Sequence, residues 1–295
     1  MVETETTPIT MAILHNGAKY KRIQIQMKPS RDPLRMNPPP SSTLGNNVVK
    51  LDHIKLACKD CSLFQLCLPV GIDAAELEEL DRIIKRRRPL ARGEHLFQVG
   101  LPFQAIYAVR SGSIKTYAYT EDGHEQVTGF HLPGELLGLD AINLSEHPCA
   151  AKALESTSLC EIPFDQLEQL SERLPSLQHQ LLKIMSREIL HDQSLLMLLG
   201  KKSAEERLAA LLLSLSGRYA KRGFSPTDFH LSMSRNDIGN YLGLAVETVS
   251  RLFSRFQEEG LLEVQRKHIE IRDLPRLRAV ANARQLGKPK ACTRI

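Results

Sequence analysis

Residues 234–259 read Ser-Arg-Asn-Asp-Ile-Gly-Asn-Tyr-Leu-Gly-Leu-Ala-Val-Glu-Thr-Val-Ser-Arg-Leu-Phe-Ser-Arg-Phe-Gln-Glu-Glu, and this stretch decides the architecture of the C-terminal third. Ser234, three residues ahead of Asp237, resembles a capping box at a helix start. Ile238, Leu242 and Leu244 flank a turn at Gly243. A second helix is expected from about Val246 to Glu259, with Val249, Phe253 and Phe256 facing inward and Gly260 placed to end it. Leu261–Gln265 and His268–Arg272 then read as two strands with Arg266-Lys267 at the turn. The pattern is a helix-turn-helix followed by a wing, a unit whose second helix enters the major groove of DNA. Glu247, Ser250 and Arg251 lie at i, i+3 and i+4 and share an exposed face near the start of that helix. Their chemistry fits base-edge reading, because Arg bonds bidentately to guanine, Glu accepts from cytosine N4 and Ser serves either role. The competing reading is a surface salt bridge between Glu247 and Arg251.

Charge supports the nucleic-acid reading. Residues 201–295 carry 18 basic and 10 acidic side chains, net +8, whereas residues 46–200 carry 15 and 21, net −6. A basic end suits a polyanion and an acidic middle does not.

Upstream of the basic end lies a long helical pattern, from about Pro175 to Leu199. Leu182, Met185, Ile189, Asp192 and Leu196 recur at steps of 3, 4, 3 and 4, the seam of a coiled-coil dimer contact. Packing of this helix on its own domain is the alternative. Asp192 interrupts the apolar seam, and two such carboxylates meeting across a two-fold axis repel.

Residues 90–165 change character again. Short apolar runs such as Ala105–Val109 and Ile114–Tyr119 alternate with glycines, and Asp122-Gly123 is a hairpin signal. Frequent short strands with turn signals predict a β-roll or jelly roll. A short helix is expected before it, near Ala74–Lys85.

The six cysteines are Cys58, Cys61, Cys67, Cys149, Cys160 and Cys292. No apolar run approaches the roughly 20 residues of a membrane span, and no signal-peptide pattern opens the chain, so a cytoplasmic protein with reduced thiols is expected. Cys58-x2-Cys61-x5-Cys67 places three thiolates in one short loop. All-thiolate ligation selects zinc or iron–sulfur, and the lack of a second close pair favours iron–sulfur. Spacing does not choose the fourth ligand between Cys149 and Cys160. No P-loop, dinucleotide fingerprint or nucleophile–base constellation is present, so an enzyme is not expected.

The expected divisions are an extension at 1–45, read as disordered, the cysteine segment and β-roll sensor domain at 46–172, the dimerisation helix at 173–199, the winged helix-turn-helix at 200–285, and a flexible tail at 286–295. The class is α+β.

Across roughly residues 50–285 the sequence resembles the fumarate and nitrate reduction regulator (FNR) branch of the CRP/FNR superfamily. The motifs are Cys-Lys-Asp-Cys-Ser-Leu-Phe-Gln-Leu-Cys at 58–67, Arg-Ser-Gly-Ser-Ile-Lys at 110–115, Thr-Gly-Phe-His-Leu at 128–132, Cys-Glu-Ile-Pro-Phe at 160–164, Glu-Glu-Arg-Leu-Ala at 205–209 and Gly-Asn-Tyr-Leu-Gly-Leu-Ala-Val-Glu-Thr-Val-Ser-Arg at 239–251. The resemblance implies a cyclic-nucleotide-binding-like β-roll. It implies a [4Fe–4S] cluster, one per subunit, on Cys58, Cys61, Cys67 and Cys160, which promotes dimerisation without oxygen and is converted by oxygen to a [2Fe–2S] form. It implies base reading of palindromic TTGAT half-sites by Glu247, Ser250 and Arg251, and activation, sometimes repression, of anaerobic-metabolism genes. It also implies RNA polymerase contact near Tyr119–His124, although the often acidic last position is His124 here. The extension at 1–45 departs from the family. The rivals are a CRP-like regulator answering to zinc, thiol redox or a small ligand. Gly134-Glu135 of a cyclic-nucleotide pocket is present, but His147-Pro148 stands where a phosphate-clamping Arg-Ser pair belongs, so no cyclic nucleotide is expected.

The interrupted seam yields a prediction. Asp192→Ala should strengthen dimerisation of cluster-free protein; sedimentation velocity with an unchanged monomer–dimer constant would overturn it.

Overall fold

The computed structural model describes residues 57–282. The chain begins there with a turn of 3-10 helix at Cys58–Asp60, followed by α1 (Ala74–Ile83). Asp73 caps α1 in a full capping box with Glu76, which fixes where it starts. Eight strands follow: β1 (Lys85–Arg86), β2 (His95–Phe97), β3 (Ala105–Ser111), β4 (Ile114–Tyr119), β5 (Glu125–His131), β6 (Leu136–Leu137), β7 (Ala150–Ala153) and β8 (Ser158–Pro163). They form two antiparallel four-stranded sheets, ordered β1-β8-β3-β6 and β2-β7-β4-β5. The expected hairpin is there, with β4 and β5 joined through a turn in which Gly123 has φ 81°.

The two sheets enclose a core of Phe97, Tyr107, Val109, Ile114, Leu137 and Leu159. A second apolar layer lies outside β3 and β8, where Ile106, Ala108 and Ile162 meet Leu80 of α1, Leu167 and Leu170 of α2 (Phe164–Arg173), and Leu177 and Ile184 of α3. Alternation along β8 divides its side chains between these layers, Leu159 to one and Cys160 and Ile162 to the other.

α3 runs from Pro175 to Lys201, two residues beyond the expected end. Leu177, Gln180 and Ile184 are buried on the roll, each apolar one contributing about 1.5–3 kcal/mol. All five seam residues are exposed in the single chain, with Leu182 at 58%, Ile189 at 57% and Leu196 at 72%. The helix therefore uses one face for its own domain and leaves the predicted seam face uncovered.

The remaining elements are α4 (Ala204–Lys221), β9 (Asp228–His230), α5 (Arg235–Leu242), α6 (Val246–Glu258), β10 (Leu262–Gln265), β11 (His268–Ile271) and α7 (Leu274–Ala281). The wing is a three-stranded sheet, β10-β11-β9. Its third strand is three residues long, too short for a period-2 signal, and the sequence reading missed it. The expected extension at 1–45 and tail at 286–295 lie outside the described residues, as does Cys292.

Reader and roll share an interface. The Glu135 carboxylate accepts from Arg218 Nε (3.0 Å) and Nη2 (2.5 Å) on α4, and from Arg222 Nη2 (2.6 Å), the residue that caps the C-terminal end of α4. Arg222 Nε also donates to Pro133 O at 2.7 Å. The Asn240 side chain of α5 accepts from Val127 N at 2.5 Å and donates to Glu125 O at 2.5 Å, pairing with the β5 backbone. Lys115 Nζ lies 2.8 Å from Asp237 Oδ1. Burial pushes the Glu135 pKa up, but Arg218 and Arg222 outweigh burial and bring it down to about 2.

A carboxylate depressed on folding contributes stability above its unfolded pKa and loses it as pH falls toward the folded one. The Glu135 contribution is therefore full at neutral pH and fades between about 4.5 and 2. Glu135→Gln should lower unfolding stability at pH 7 by on the order of 2 kcal/mol and flatten the acid-side decline, read by urea titration at several pH values.

Candidate metal centre and nucleic-acid interface

The cysteine loop is a chain of tight turns. Cys61 N donates to Cys58 O (3.2 Å), Phe64 N to Cys61 O (3.1 Å) and Cys67 N to Leu63 O (3.1 Å), which curls the three thiols toward one side. The loop is anchored at its start by Cys58 N donating to Asp81 Oδ1 on α1 (3.0 Å), a carboxylate that also holds Arg86 Nη2 at 3.0 Å. Further along, the loop packs Leu66 on Gly134. A Cβ at Gly134 would come within 2.9 Å of the Leu66 Cβ, and Gly134 has φ +91°, so the position suits only glycine.

Cys58, Cys61, Cys67 and Cys160 line one cavity of ≈ 40 Å³, walled by Phe64, Leu80, Ile162 and other apolar side chains. Cys160 reaches it from the middle of β8, opposite Arg86 on β1 and Ala108 on β3. Cys149 is elsewhere. It is buried, donates to Asp140 Oδ2 at 3.2 Å, and lines a different cavity with His131 and Glu135. The geometry thus groups Cys160, not Cys149, with the loop thiols.

Burial holds the Cys67 thiol up to about 12, and burial together with Asp81 raises Cys58 further. Burial also raises Cys160, against Arg86 and Arg110. The Cys58, Cys67 and Cys160 thiols therefore resist ionising unless a cation compensates them. Among the described residues no group of three or more His, Cys, Asp or Glu side chains is placed to hold a metal ion.

The reader is built by local rules. Ser234 Oγ accepts from Asp237 N (3.1 Å) and Asp237 Oδ2 accepts from Ser234 N (2.9 Å), completing the box that starts α5. Gly243 ends α5 with φ 63°. A Cβ on Gly239 would approach Leu244 O to 2.6 Å, so the α5–α6 turn closes only over glycine. α6 buries Val249, Phe253 and Phe256 as expected, and Leu252 as well. The Arg235 guanidinium carbon sits over the Phe253 ring, 3.2 Å from its centroid, and links the two helices.

Glu247, Ser250 and Arg251 are exposed together on α6. Among the described residues neither Glu247 nor Arg251 has an ion-pair partner, so the salt-bridge alternative does not hold in this conformation. Ser250 Oγ donates to Val246 O at 2.9 Å. The neighbouring Arg255 is engaged by Glu205 and Glu259.

A β-roll, a long helix and a winged helix-turn-helix with a free polar reading face define a DNA-binding transcription regulator, not an enzyme. Family models agree with the two halves, a cyclic nucleotide-binding domain over residues 87–173 and a Crp-like helix-turn-helix domain over residues 206–280. The transcriptional activator protein anr of Pseudomonas aeruginosa is 54% identical over 230 residues, covering 78% of this chain and 94% of that protein. The fumarate and nitrate reduction regulatory protein of Salmonella typhimurium is 52% identical over 224 residues, 76% of this chain and 90% of that protein. Among solved structures, FixK2 from Bradyrhizobium japonicum superposes with a TM-score of 0.62 at 31% identity, covering 67% of this chain and 97% of that chain. The chain belongs to the CRP/FNR family of transcription regulators, among the FNR and Anr proteins.

If Arg251 and Glu247 read bases, replacing either by Ala should cost about 1–3 kcal/mol of discrimination at one base pair per half-site. Competition binding against single-base variants measures this. Equal losses on specific and random duplexes would assign both residues to backbone contacts.

Proposed function

We propose that this regulator senses oxygen through a [4Fe–4S] cluster held by Cys58, Cys61, Cys67 and Cys160. The observation that carries the reading is the grouping of these four thiols, and not Cys149, around one apolar cavity. Four cysteines with no second close pair suit an iron–sulfur cluster better than a zinc ribbon. When bound, such a cluster supplies chemistry that oxygen alters.

The chain's own residues do the rest. Asp81 and Arg86 fix the start of the cysteine loop, Leu66 seats its end on Gly134, and apolar side chains line the cavity beside the half-buried thiols. The loop covers the part of the roll that carries the first half of α3, through Leu177 and Ile184. The uncovered face of α3, Leu182, Met185, Ile189, Asp192 and Leu196, is the proposed homodimer seam. Pairing along it presents two copies of Glu247, Ser250 and Arg251 to a palindrome of TTGAT-type half-sites, as a two-fold dimer requires. The output proposed is activation, in part repression, of genes for anaerobic metabolism. RNA polymerase contact is assigned to the β4–β5 turn at Tyr119–His124, where Tyr119 is 54% exposed.

A second reading, zinc or thiol redox on the same cysteines, is separated by composition. Protein purified without air should carry about four iron and four sulfide per chain, with visible absorption that changes on aeration. Cys160→Ser should abolish this absorption and Cys149→Ser preserve it. About one zinc per chain and no visible band would establish the rival.

A further inference from the structure

The Glu-Glu-Arg-Leu-Ala stretch at 205–209 places an arginine in the first turn of α4, just after α3 has ended. Only Lys202 and Ser203 separate the two helices. The Ser203–Glu206 capping box fixes the backbone from which Arg207 projects. The Arg207 guanidinium donates three hydrogen bonds, all to backbone carbonyls. Nη2 donates to Leu199 O at 2.7 Å and Nε to Lys202 O at 3.0 Å, both at the C-terminal end of α3. Nη1 donates at 3.0 Å to the carbonyl of Leu242, the last residue of α5.

The last carbonyls of a helix have no partner within it and carry its negative end. Here the negative ends of two helices meet one planar cation, whose fork sets an angle as well as a distance. The two helices have different tasks. α3 carries the uncovered seam face, whereas α5 and α6 form the reader, and α6 starts at Val246, four residues after Leu242. Leu195 and Leu198 of α3 also pack against the apolar cluster that includes the reader's core, but apolar contact is non-directional. Lys202 Nζ ties the same junction to α7 through Ala281 O at 2.8 Å, and a single ammonium acts as a pivot, not a fork. Arg207 therefore gives the angle between α3 and the α5–α6 turn its directional restraint. In a two-fold dimer the placement of the paired recognition helices sets the half-site spacing.

We propose that Arg207 is a positioning residue for DNA recognition. By clamping the end of α3 to the α5–α6 turn, it sets the half-site spacing that the dimer accepts, through contacts within the protein. The inference rests on pairing along α3 as proposed above, and the wild-type measurements test that pairing separately.

The test uses the full chain, loaded and handled without air, in anisotropy titrations. The duplexes carry two TTGAT half-sites whose separation varies one base pair at a time, and a further duplex carries a single half-site. Each added base pair turns one half-site by about 35° around the duplex, so wild type should bind one separation best. Arg207→Gln should narrow the affinity ratio between the best and the neighbouring separations by about tenfold, with single-half-site affinity kept within about twofold. Its dimerisation in sedimentation velocity should equal that of wild type. Arg207→Lys keeps the charge but not the fork and should fall between the two, and it reads the same quantity if the glutamine variant melts early. A wild-type spacing profile in the folded glutamine variant, or in the lysine variant where only that one folds, overturns the proposal. So does an equal loss on every duplex, the single half-site included, which would make Arg207 a stabiliser of the reader's fold alone. A weakened dimer overturns it by assigning Arg207 to the seam. Wild type that stays monomeric, or binds every separation alike, would instead count against pairing along α3.

Discussion

The Glu135 carboxylate, gripped by Arg218 and Arg222, is the interaction on which the relation between the two halves depends. Glu135 sits on the roll next to Gly134, Arg218 lies on α4 of the reader, and Arg222 caps that helix. The Arg222 side chain is only 3% exposed, so this is a desolvated link, and losing one partner leaves buried charge without compensation. In a cyclic-nucleotide pocket the Gly-Glu pair serves a ligand, whereas here the Glu is already occupied by protein cations. Around the ion triad, Asn240 pairs with the β5 backbone and the Tyr241 ring lies 5.1 Å from Phe130, so the first helix of the reader is held by the roll as a rigid neighbour.

The cysteine loop touches the same point from the other side. Leu66, adjacent to Cys67, rests on Gly134, and Glu135 follows. The carboxylate that holds Arg218 and Arg222 is thus one residue from the loop's contact point. This supplies a short, packed connection between the proposed cluster and the reader.

α3 performs two tasks on two faces. Leu177 and Ile184 complete the sensor core, while Leu182, Ile189 and Leu196 face solvent in the single chain. An exposed apolar stripe of this extent is costly for a lone chain in water and gives an assembling partner something to bury. Asp192, exposed between Ile189 and Leu196, weakens that stripe. Under the proposed function it keeps pairing conditional on the state of the cysteine loop.

Much of this was legible in the residues because it rests on short-range rules. The Ser234–Asp237 box, the Gly243 turn and the inward spacing of Val249, Phe253 and Phe256 specify α5 and α6 through contacts a few residues apart, and the structure places them there. The same holds for α3 and for the β4–β5 hairpin. The three-cysteine loop was equally visible, as was the exposed triplet on α6. What the sequence left undecided was long-range. Cys149 and Cys160 are equivalent as spacings, and only the pairing of β8 with β1 and β3 carries Cys160 to the loop cavity while Cys149 turns to Asp140. The Glu135–Arg218–Arg222 triad joins residues more than 80 positions apart, for which no periodicity gives a signal. Sequence determined which elements form, and tertiary packing decided which chemistry-bearing side chains meet, because those meetings depend on distances that the chain fixes only when it closes.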